Sequence, residues 1–544
     1  MRPPEVLARR PGRWGAQWPG RATGLALLAG ALQAVSLAWP WGTPAFLAAL
    51  GVVQGQAVWW LQLLALGLLV GLLRQSSHPA QAAWLGGCFG TAWLALTFGW
   101  LFISMHTYGG LNALLALLAV LALAAALAVY TAAASWCFKA LALTNQALAA
   151  LYFAALWLLA ELARGLLLTG FGWGGVGYAQ VDGPMAGVLP WVGVYGLSAL
   201  AAWLAAMLAG LFDRGEPAYP RGAWVRHLLA ILAVLAGVQA LPVPQGSAAG
   251  TLDVTLLQGN IAQDEKFDAT RGVPQALQWY GQQLQTSRSA LIITPETALP
   301  LLPDQLPPAY WQALQLRFAQ GEQAALVGMP MGSFEAGYTN SVAGFKPGQS
   351  TLWRYDKHHL VPFGEFIPPW FRWFTNLMAI PLGDFTRGAL PQPTFDWQGQ
   401  RLGTSICFEN LFGEELAAQF AVPERAPTIL VNISNLGWFG AHLAMDQHLQ
   451  IARVRSLEFD RPYLLATNTG RTAVVDHQGR ISAALPNHVA GALQAQVQGR
   501  GGITPYAWWV ARWGQWPLAG LGAGVVVLLW WTRRQSQKLA ETEK

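Results

Sequence analysis

Charged residues are scarce in this sequence. Asp, Glu, Lys and Arg make up 11% of its 544 residues, whereas hydrophobic residues make up 54%; a soluble domain has roughly 25% charged residues. The shortage is uneven, because long stretches before residue 241 carry almost no charge while residues 252–500 have the composition of an ordinary water-soluble domain. A wholly soluble protein is therefore excluded, and part of the chain requires lipid around it.

Cysteine is also scarce. Only Cys88, Cys137 and Cys407 occur, and the first two lie in or at the end of apolar runs. A domain held together by disulfides is therefore excluded. Cys407 is alone in the 252–500 region, where a free thiol is most often a small buried hydrophobe, so its neighbours must decide whether it has a chemical role.

Several motifs of cofactor-dependent enzymes are missing. No glycine-rich segment has the spacing of a P-loop or a dinucleotide-binding turn, and no HExxH, CxxC or histidine cluster has metal-ligand spacing. The net charge of +6 gathers in arginine clusters beside apolar runs, where it indicates membrane topology rather than nucleic-acid binding. We therefore expect no nucleotide, no nucleic acid, no metal and no cofactor.

Eight apolar runs approach or exceed the ~20 residues that a membrane span needs. They cover about residues 23–39, 45–73, 83–105, 111–137, 147–168, 186–212, 224–241 and 516–532, and the second contains polar residues at 54–56. No small-residue cleavage site follows the first run, so we expect it to remain as a span.

Basic residues in the short loops predict the orientation. The N-terminal arginines, Arg74, Lys139, the basic group at 214–226 and the arginines at 533–534 all fall on one side of an eight-span bundle, and this side should be the cytoplasm. Both termini are then cytoplasmic. The large insert between the seventh and eighth spans faces outward, into the periplasm if the protein lies in a bacterial inner membrane.

The insert reads as an α/β domain. Strands are predicted at 254–257, 291–294, 325–328, 341–345, 401–406, 429–433, 463–467 and 473–475, and helices at about 274–286, 308–319, 411–420 and 444–459. Such alternation is typical of helices packed outside sheet. We expect a membrane bundle over 1–241, a catalytic domain over 242–505, and a last span with its tail over 506–544.

Three reactive side chains stand at the ends of these predicted strands or between charged neighbours. Glu296 follows a strand that Pro295 ends, and Lys357 lies where charged residues interrupt apolar ones. Cys407 ends the strand 401–406, and a turn into a helix there should favour its thiolate. Each alone could be structural or solvated. Together they supply a carboxylate to take the thiol proton, an ammonium to stabilise negative charge and a thiol to form a covalent intermediate.

The motifs that carry these residues resemble those of a known family. They are Gln258-Gly259-Asn260-Ile261, Pro295-Glu296, the segment from Asp356-Lys357-His358-His359 to Gly364-Glu365, and Ile406-Cys407-Phe408-Glu409, followed by Ser434-Asn435, Trp438-Phe439-Gly440, Arg461-Pro462 and Thr467-Asn468-Thr469-Gly470. In this order they resemble the nitrilase superfamily and specifically its membrane-bound branch, the apolipoprotein N-acyltransferases. Thr169-Gly170-Phe171-Gly172-Trp173 and Gln180-Val181-Asp182-Gly183-Pro184 extend the resemblance into the membrane half.

The resemblance implies a fold and an activity. The fold is a polytopic α-helical membrane bundle of about eight spans plus an extracytoplasmic, nitrilase-like αββα sandwich. The activity moves a fatty acyl chain from a membrane phospholipid onto Cys407, and then to the N-terminal α-amine of a diacylglyceryl-cysteine apolipoprotein. Glu296 is then the general base, Lys357 the oxyanion-stabilising amine and Cys407 the nucleophile.

Further residues match the family's site less directly. Glu365 and Glu409 correspond to two acidic positions, with supporting roles, and Asn340 to an asparagine. Phe267 and Phe408 stand where relatives have a tryptophan and a tyrosine, which changes how a substrate is recognised there. The apolar segment 370–380 is either a mobile lid over the lipid site or a packed loop.

Two other functions use the same features. A membrane-tethered nitrilase-type C–N hydrolase would resolve the acyl-enzyme with water, although one span would suffice to tether it. A lipid- or lipoprotein-binding protein without catalysis would leave the three reactive residues dispensable.

Overall fold

The computed structural model describes residues 19–211, 221–244, 246–349, 351–367, 385–441 and 443–542. The predicted lid at 370–380, the arginines before residue 19 and Arg214 lie outside these residues.

The first half of the described chain is helical. Its helices are α1 (Pro19–Leu37), α2 (Ala45–Ala48), α3 (Trp59–Gln75), α4 (Pro79–Thr97), α5 (Leu101–Ile103), α6 (Ala113–Leu141), α7 (Gln146–Leu166), α8 (Leu189–Leu211) and α9 (Arg221–Ala240). Leucine, alanine and aromatic side chains from α1 to α9 share one buried core. Other faces expose leucines such as Leu114 and Leu118 on α6, as helices surrounded by lipid do.

Some of these helices have the length and composition of membrane spans. Among the described residues they are Ala113–Leu141, Gln146–Leu166 and Ala186–Leu211. Two bent pairs, Pro79–Thr97 with Leu101–Tyr108 and Pro505–Trp513 with Trp516–Leu539, bring the number to five if each pair is one span. A helix coincides with each of the eight predicted runs, but length and composition alone support five spans at most.

The predicted span at 45–73 is wrong in its first half. After α2 the chain turns through Gly51 and Gly55, which both have positive φ, and α3 begins only at Trp59. The backbone carbonyl of Gly55 accepts a hydrogen bond from Gln450 Nε2 at 2.8 Å. Gln56 Oε1 accepts another hydrogen bond, from Arg453 Nη1 at 3.4 Å. This turn therefore contacts the second half of the protein and is not part of a continuous span.

The second half contains the strands. They are β1 (Ala248–Gln258), β2 (Leu291–Ile293), β3 (Ala324–Ser333), β4 (Gly337–Phe345), β5 (Trp353–Asp356), β6 (Phe395–Trp397), β7 (Gln400–Ile406), β8 (Ile429–Ser434), β9 (Tyr463–Thr467), β10 (Ala473–Val475), β11 (Ile481–Ala484) and β12 (Gly491–Arg500). The helices are α10 (Gly272–Thr286), α11 (Pro308–Ala319), α12 (Gly413–Ala417), α13 (Leu443–Phe459), α14 (Pro505–Trp513) and α15 (Trp516–Thr542).

These strands form two six-stranded sheets. Their orders are β12-β1-β2-β3-β4-β5 and β11-β10-β9-β8-β7-β6. The strands β1, β2 and β3 run parallel, as do β7, β8 and β9, and the outer strands pair antiparallel. Parallel central strands bring their carboxyl ends to one edge, where α/β proteins place their sites.

Apolar side chains position the layers. Alternate residues of both sheets, among them Ile293 and Ile433, share one buried core. The helices α10 and α11 cover the other face of the first sheet, while α12, α13 and α14 cover that of the second. Each fully buried aliphatic side chain stabilises this arrangement by ~1.5–3 kcal/mol.

The two halves meet through the loops of one end of the bundle. Trp173 Nε1 donates to Gln447 Oε1 at 2.7 Å, and Arg453 Nη1 donates to Asp182 Oδ2 at 2.8 Å. The basic side chain of Lys139 lies at the other end, where its Nζ donates to the carbonyl of Arg74 at 3.0 Å. The loops predicted to face outward are thus those that contact the α/β half.

Candidate active site

Strand ends bring the three predicted reactive residues to one region. Glu296 follows β2, Lys357 directly follows β5 and Cys407 directly follows β7. Cys407 has a φ of 51° and Thr297, next to Glu296, has a φ of 47°. Such left-handed conformations of residues other than glycine are uncommon and are held by the surrounding structure, often at functional sites.

Glu296, Lys357, Glu365 and Asn340 form a closed ring of hydrogen bonds, which we call the charged ring. Lys357 Nζ lies 3.2 Å from Glu296 Oε1 and 2.8 Å from Glu365 Oε1. Asn340 Nδ2 donates to the same two oxygens, at 2.7 Å and 2.8 Å. All four residues are buried, so each charge depends on its partners for compensation.

Electrostatics fixes the protonation of this ring. Burial alone would raise the pKa of Glu296, but the Lys357 ammonium and the Asn340 amide outweigh it, so this pKa lies below its usual range. Burial would lower the pKa of Lys357, but Glu296 and Glu365 together raise it. At neutral pH the ring therefore holds a carboxylate able to accept a proton and a charged ammonium.

The expectation that the turn favours a Cys407 thiolate is wrong. Burial raises the pKa of this thiol, and the negative charge of Glu296 raises it further. Lys357 and the backbone N–H of Asn435 lower the pKa by less. Cys407 and the four residues after it form a 3₁₀ turn, Cys407–Leu411, instead of an α-helix, so a helix dipole contributes little. Cys407 therefore rests as a thiol, and a reaction through its sulfur would need a base to remove the proton.

Glu409 connects the strand that carries Cys407 to the segment that carries Lys357. Its carboxylate accepts hydrogen bonds from the backbone N–H groups of Ile406 at 2.6 Å, His358 at 2.6 Å and His359 at 3.1 Å. The hydroxyl of Tyr355 donates a fourth, at 2.9 Å. Burial raises the pKa of Glu409 to about 7, while the backbone donors and the Lys357 charge pull it down. With four donors engaged, Glu409 supports the site and is not free to contact a substrate.

The two predicted phenylalanines lie outside the charged ring, in different surroundings. Phe408 is buried, and its ring centroid lies 5.9 Å from that of Phe171 in the membrane half and 5.2 Å from that of Phe412. Phe267 is 52% exposed. Phe408 is therefore part of the apolar contact between the halves, and Phe267 is available at the surface.

Sequence reasoning assigned no role to two residues that hold Glu296, Lys266 and the motif residue Asn435. Lys266 Nζ donates to the backbone carbonyl of Glu296 at 3.0 Å and to Thr297 Oγ1 at 2.6 Å. The backbone N–H of Asn435 donates to Glu296 Oε2 at 2.9 Å. Lys266 follows Asp264 and Glu265 in the sequence, a pattern typical of a solvated turn, so nothing marked it as buried.

The arrangement suits covalent acyl transfer by a thiol. A carboxylate, an ammonium and a buried thiol are the groups needed for proton removal, charge stabilisation and nucleophilic attack. Within the described ranges, no group of three or more His, Cys, Asp and Glu side chains is arranged to hold a metal ion.

Two protein-family models match the chain. One is described as the apolipoprotein N-acyltransferase N-terminal domain and matches residues 44–207. The other is described as carbon-nitrogen hydrolase and matches residues 253–506. The second half of the chain therefore has the nitrilase-like carbon-nitrogen hydrolase fold.

Curated relatives match over most of their length. The apolipoprotein N-acyltransferase of Verminephrobacter eiseniae (strain EF01-2) is 52% identical over 90% of this chain and 92% of its own. That of Ralstonia nicotianae is 44% identical over 87% of this chain and 88% of its own.

Solved structures of the nitrilase superfamily are more distant. Nit3 of Saccharomyces cerevisiae has 16% identity and a TM-score of 0.33, covering 46% of this chain and 90% of its own. A carbon-nitrogen hydrolase from Helicobacter pylori G27 has 15% identity and a TM-score of 0.33, covering 50% of this chain and 94% of its own. The relatives in sequence are the stronger guide to this chain.

Proposed function

The chain belongs to the apolipoprotein N-acyltransferase family, and we propose that it acylates apolipoproteins by a two-stage transfer through Cys407. N-acylation of apolipoproteins follows from the family. The proposal adds the donor, a membrane phospholipid; the intermediate, a thioester at Cys407; and the acceptor group, the α-amine of a diacylglyceryl-cysteine. The observation that carries it is the charged ring, whose Glu296 and Lys357 act electrostatically on the buried thiol.

In the first stage the acyl chain moves to sulfur. Glu296 takes the proton of the Cys407 thiol as the sulfur attacks the ester carbonyl carbon of the phospholipid. The ammonium of Lys357 stabilises the oxyanion that develops. The bond between the carbonyl carbon and the glycerol oxygen then breaks, Glu296 returns its proton to that oxygen, and a lysophospholipid leaves.

In the second stage the acyl chain moves to nitrogen. The uncharged α-amine of the acceptor attacks the thioester carbonyl, and Glu296 takes a proton from this amine. The carbon–sulfur bond breaks and the sulfur regains a proton from Glu296. A thioester keeps the transfer potential of the donor ester, so the exchange needs no nucleotide.

The architecture that we propose has about eight spans. Residues 1–241 form the bundle, 242–505 the αββα sandwich and 506–544 the last span and tail, with both termini in the cytoplasm and the catalytic domain in the periplasm of a bacterial inner membrane. Support comes from the two sheets that share a core, and from Arg74 and Lys139, which meet away from the α/β half.

Mounting this domain on the membrane helps the chemistry. Both proposed substrates are lipids, and lifting an acyl chain out of the bilayer costs ~0.8 kcal/mol per CH₂. The contact of Phe171 with Phe408, next to Cys407, brings the membrane half to the residue beside the nucleophile. An acyl chain can then reach sulfur without crossing water.

A C–N hydrolase with the same three residues is not favoured. Such an enzyme has no use for the membrane half, yet the acyltransferase relatives match that half as well as the catalytic domain. A binding protein without catalysis likewise leaves the charged ring unexplained.

Intact-mass measurement tests the first stage. The purified protein is incubated with phosphatidylethanolamine, beside C407A and, as a matched control, C137A in α6. The proposal expects a mass gain of one fatty acyl group in the wild type and C137A, removable by hydroxylamine, and none in C407A. No gain in the wild type, or an equal gain in C407A, overturns the proposal.

A further inference from the structure

Lys266 is a buried lysine that the proposed reaction does not use. It is 1% exposed, and burial lowers its pKa to about 7 although Glu296 and Cys407 raise it. A buried ammonium costs several kcal/mol unless hydrogen bonds compensate it. Both of its hydrogen-bond acceptors, the Glu296 carbonyl and Thr297 Oγ1, belong to the turn that presents Glu296.

This turn adopts a conformation that needs support. A residue other than glycine at positive φ, as Thr297 is, costs ~1–3 kcal/mol. Strand β3 holds the turn on one side, because Gly328 N donates to Thr294 Oγ1 at 3.0 Å and the site of a Cβ at Gly328 is only 2.1 Å from the Pro295 carbonyl oxygen. Lys266 holds the same turn from the loop 259–267.

The loop 259–267 reaches Glu296 by a second route. Gln263 Oε1 accepts a hydrogen bond from Asn435 Nδ2 at 2.7 Å, and the backbone N–H of Asn435 donates to Glu296 Oε2. Phe267 directly follows Lys266 in the chain and is half exposed. One loop therefore contacts both the main chain and, through Asn435, the carboxylate of the proposed base.

We propose that Lys266 is a positioning residue of the acyl transfer. Its ammonium fixes the turn at 295–297 so that the Glu296 carboxylate faces Cys407, and it joins this turn to the loop that exposes Phe267. Lys266 touches neither a substrate nor a reacting atom. The inference rests on the proposed function and names a residue that keeps its general base in place.

K266M tests the inference because methionine fills similar space without a donor. A base displaced by about 1 Å slows catalysis on the order of 100-fold, so we expect such a fall in the rate of Cys407 acylation by phosphatidylethanolamine, with little change in KM. The matched control is K346M, at a half-buried lysine of the same domain that lies over the Phe395 ring. Its rate should equal that of the wild type.

The pH profile separates positioning from mere packing. Glu296 faces the ammonium groups of Lys266 and Lys357, the Glu365 carboxylate, the Cys407 thiol and the His448 imidazole. Removing the Lys266 charge raises the pKa of Glu296, so the acid limb of the acylation rate should move to higher pH in K266M. T297V keeps the charge and loses one acceptor, so it should be slower with an unmoved acid limb.

The outcomes are distinct. K266M with a wild-type rate per folded molecule and an unmoved acid limb overturns the inference, as does T297V with a wild-type rate. If K266M does not fold, T297V decides. If the wild type forms no acyl-enzyme, the proposed function is contradicted, and so is this inference. If the wild type forms an acyl-enzyme and K266M forms it at the same rate, only the role of Lys266 is contradicted.

Discussion

At the scale of single residues, the proposed reaction requires a proton to pass from the Cys407 thiol to the Glu296 carboxylate. The pKa of the thiol is raised and that of the carboxylate is lowered. Before the reaction, Cys407 is therefore protonated and Glu296 is charged. In the proposed reaction the proton moves only as sulfur attacks. Lys357 then stabilises the negative charge of the transition state and not that of a resting thiolate.

Two variants should therefore change thiol reactivity in opposite directions. The Glu296 charge raises the pKa of Cys407 and the Lys357 charge lowers it. We expect E296Q to be alkylated by iodoacetamide faster than wild type at pH 8–9, and K357M more slowly. E296Q should nevertheless lose acyl-enzyme formation by ~10²–10⁴-fold, as expected when a general base is removed.

The measurement is the alkylation rate against pH, followed by intact mass, with C88A as the control that removes a thiol elsewhere. If E296Q slowed both alkylation and acylation, Glu296 would not raise the pKa of the resting thiol.

The sequence predicted which reactive side chains the structure brings to one region, and their roles in the reaction stay a proposal. Glu296 and Cys407 follow strands, and a strand end can be recognised from its apolar run and the residue that ends it. The roles of Lys266 and Asn435 could not be found in this way, because their hydrogen bonds to Glu296 use its main-chain carbonyl and the Asn435 main-chain N–H. Backbone contacts between distant positions leave no pattern in the sequence. The raised pKa of Cys407 was missed for a related reason, since burial depends on the whole fold.

At the scale of elements, Glu409 fixes the strand β7 and the segment after β5 relative to each other. In E409Q an NH₂ group faces a donor such as the Ile406 N–H, and an unsatisfied buried donor costs ~1–3 kcal/mol. We expect E409Q to lower Tm and to slow acylation, since Lys357 and Cys407 lose a common support. The matched control is E424Q, at an exposed glutamate of the same domain; an equal effect of E424Q would contradict the account.

Glu409 also predicts a pH dependence of stability. Burial raises its pKa from an ordinary 4.5 to about 7 in the folded protein, so the folded state binds more protons than the unfolded state between these values. Its contribution to stability is therefore present below pH 4.5 and is lost as pH rises through 7. The fall in Tm between pH 5 and pH 8 should be smaller in E409Q than in wild type; an unchanged fall would contradict this.

The helix α8 depends on a carboxylate of the catalytic domain. Gly193 interrupts it with a φ of 64°, and Glu458 Oε1 accepts the N–H of Val194 at 2.6 Å where the helix resumes. Glu458 also pairs with the fully buried Arg455. E458A should lower the free energy of unfolding by ~3–5 kcal/mol, because it leaves a buried charge without its partner.

Thermal unfolding in detergent measures this effect. The double variant R455M/E458L removes both charges and should be more stable than E458A. An equal or lower Tm of the double variant would show that the ion pair does not carry the effect.

Helices and strands were predicted correctly where a local sequence pattern is enough to determine them. The long apolar helices and the central strands follow from hydrophobic periodicity. The run at 45–73 was misread because its turn contacts residues hundreds of positions away: the Gly55 carbonyl accepts from Gln450 and the Gln56 side chain accepts from Arg453. The helix expected at 411–420 is instead the short helix α12 between two 3₁₀ turns, Cys407–Leu411 and Ala418–Phe420.

At the scale of the whole molecule, the contacts between the halves predict the topology. Gln447 Oε1 accepts hydrogen bonds from the indoles of Trp100 at 3.1 Å and Trp173 at 2.7 Å, which fixes the catalytic domain against one end of the bundle. Cysteine labelling tests this topology in a variant that lacks the native cysteines (C88A, C137A and C407A), in intact inner-membrane vesicles whose periplasmic side faces out. A membrane-impermeant maleimide added outside should label E335C, which lies in an exposed turn of the α/β half. S77C, between α3 and α4, should react only after permeabilisation. Labelling of S77C but not of E335C in intact vesicles would show the opposite orientation.

Discharge of the isolated acyl-enzyme tests whether the Cys407 thioester passes its acyl chain to an amine. Wild-type protein loaded with one acyl group, and freed of lipid, is mixed with a diacylglyceryl-cysteine peptide that has a free α-amine, with the N-acetylated peptide, or with buffer. We expect the enzyme to lose its acyl mass only with the free amine, at the rate at which that peptide gains it. Equal loss in buffer, or acylation of the peptide by C407A, would contradict it.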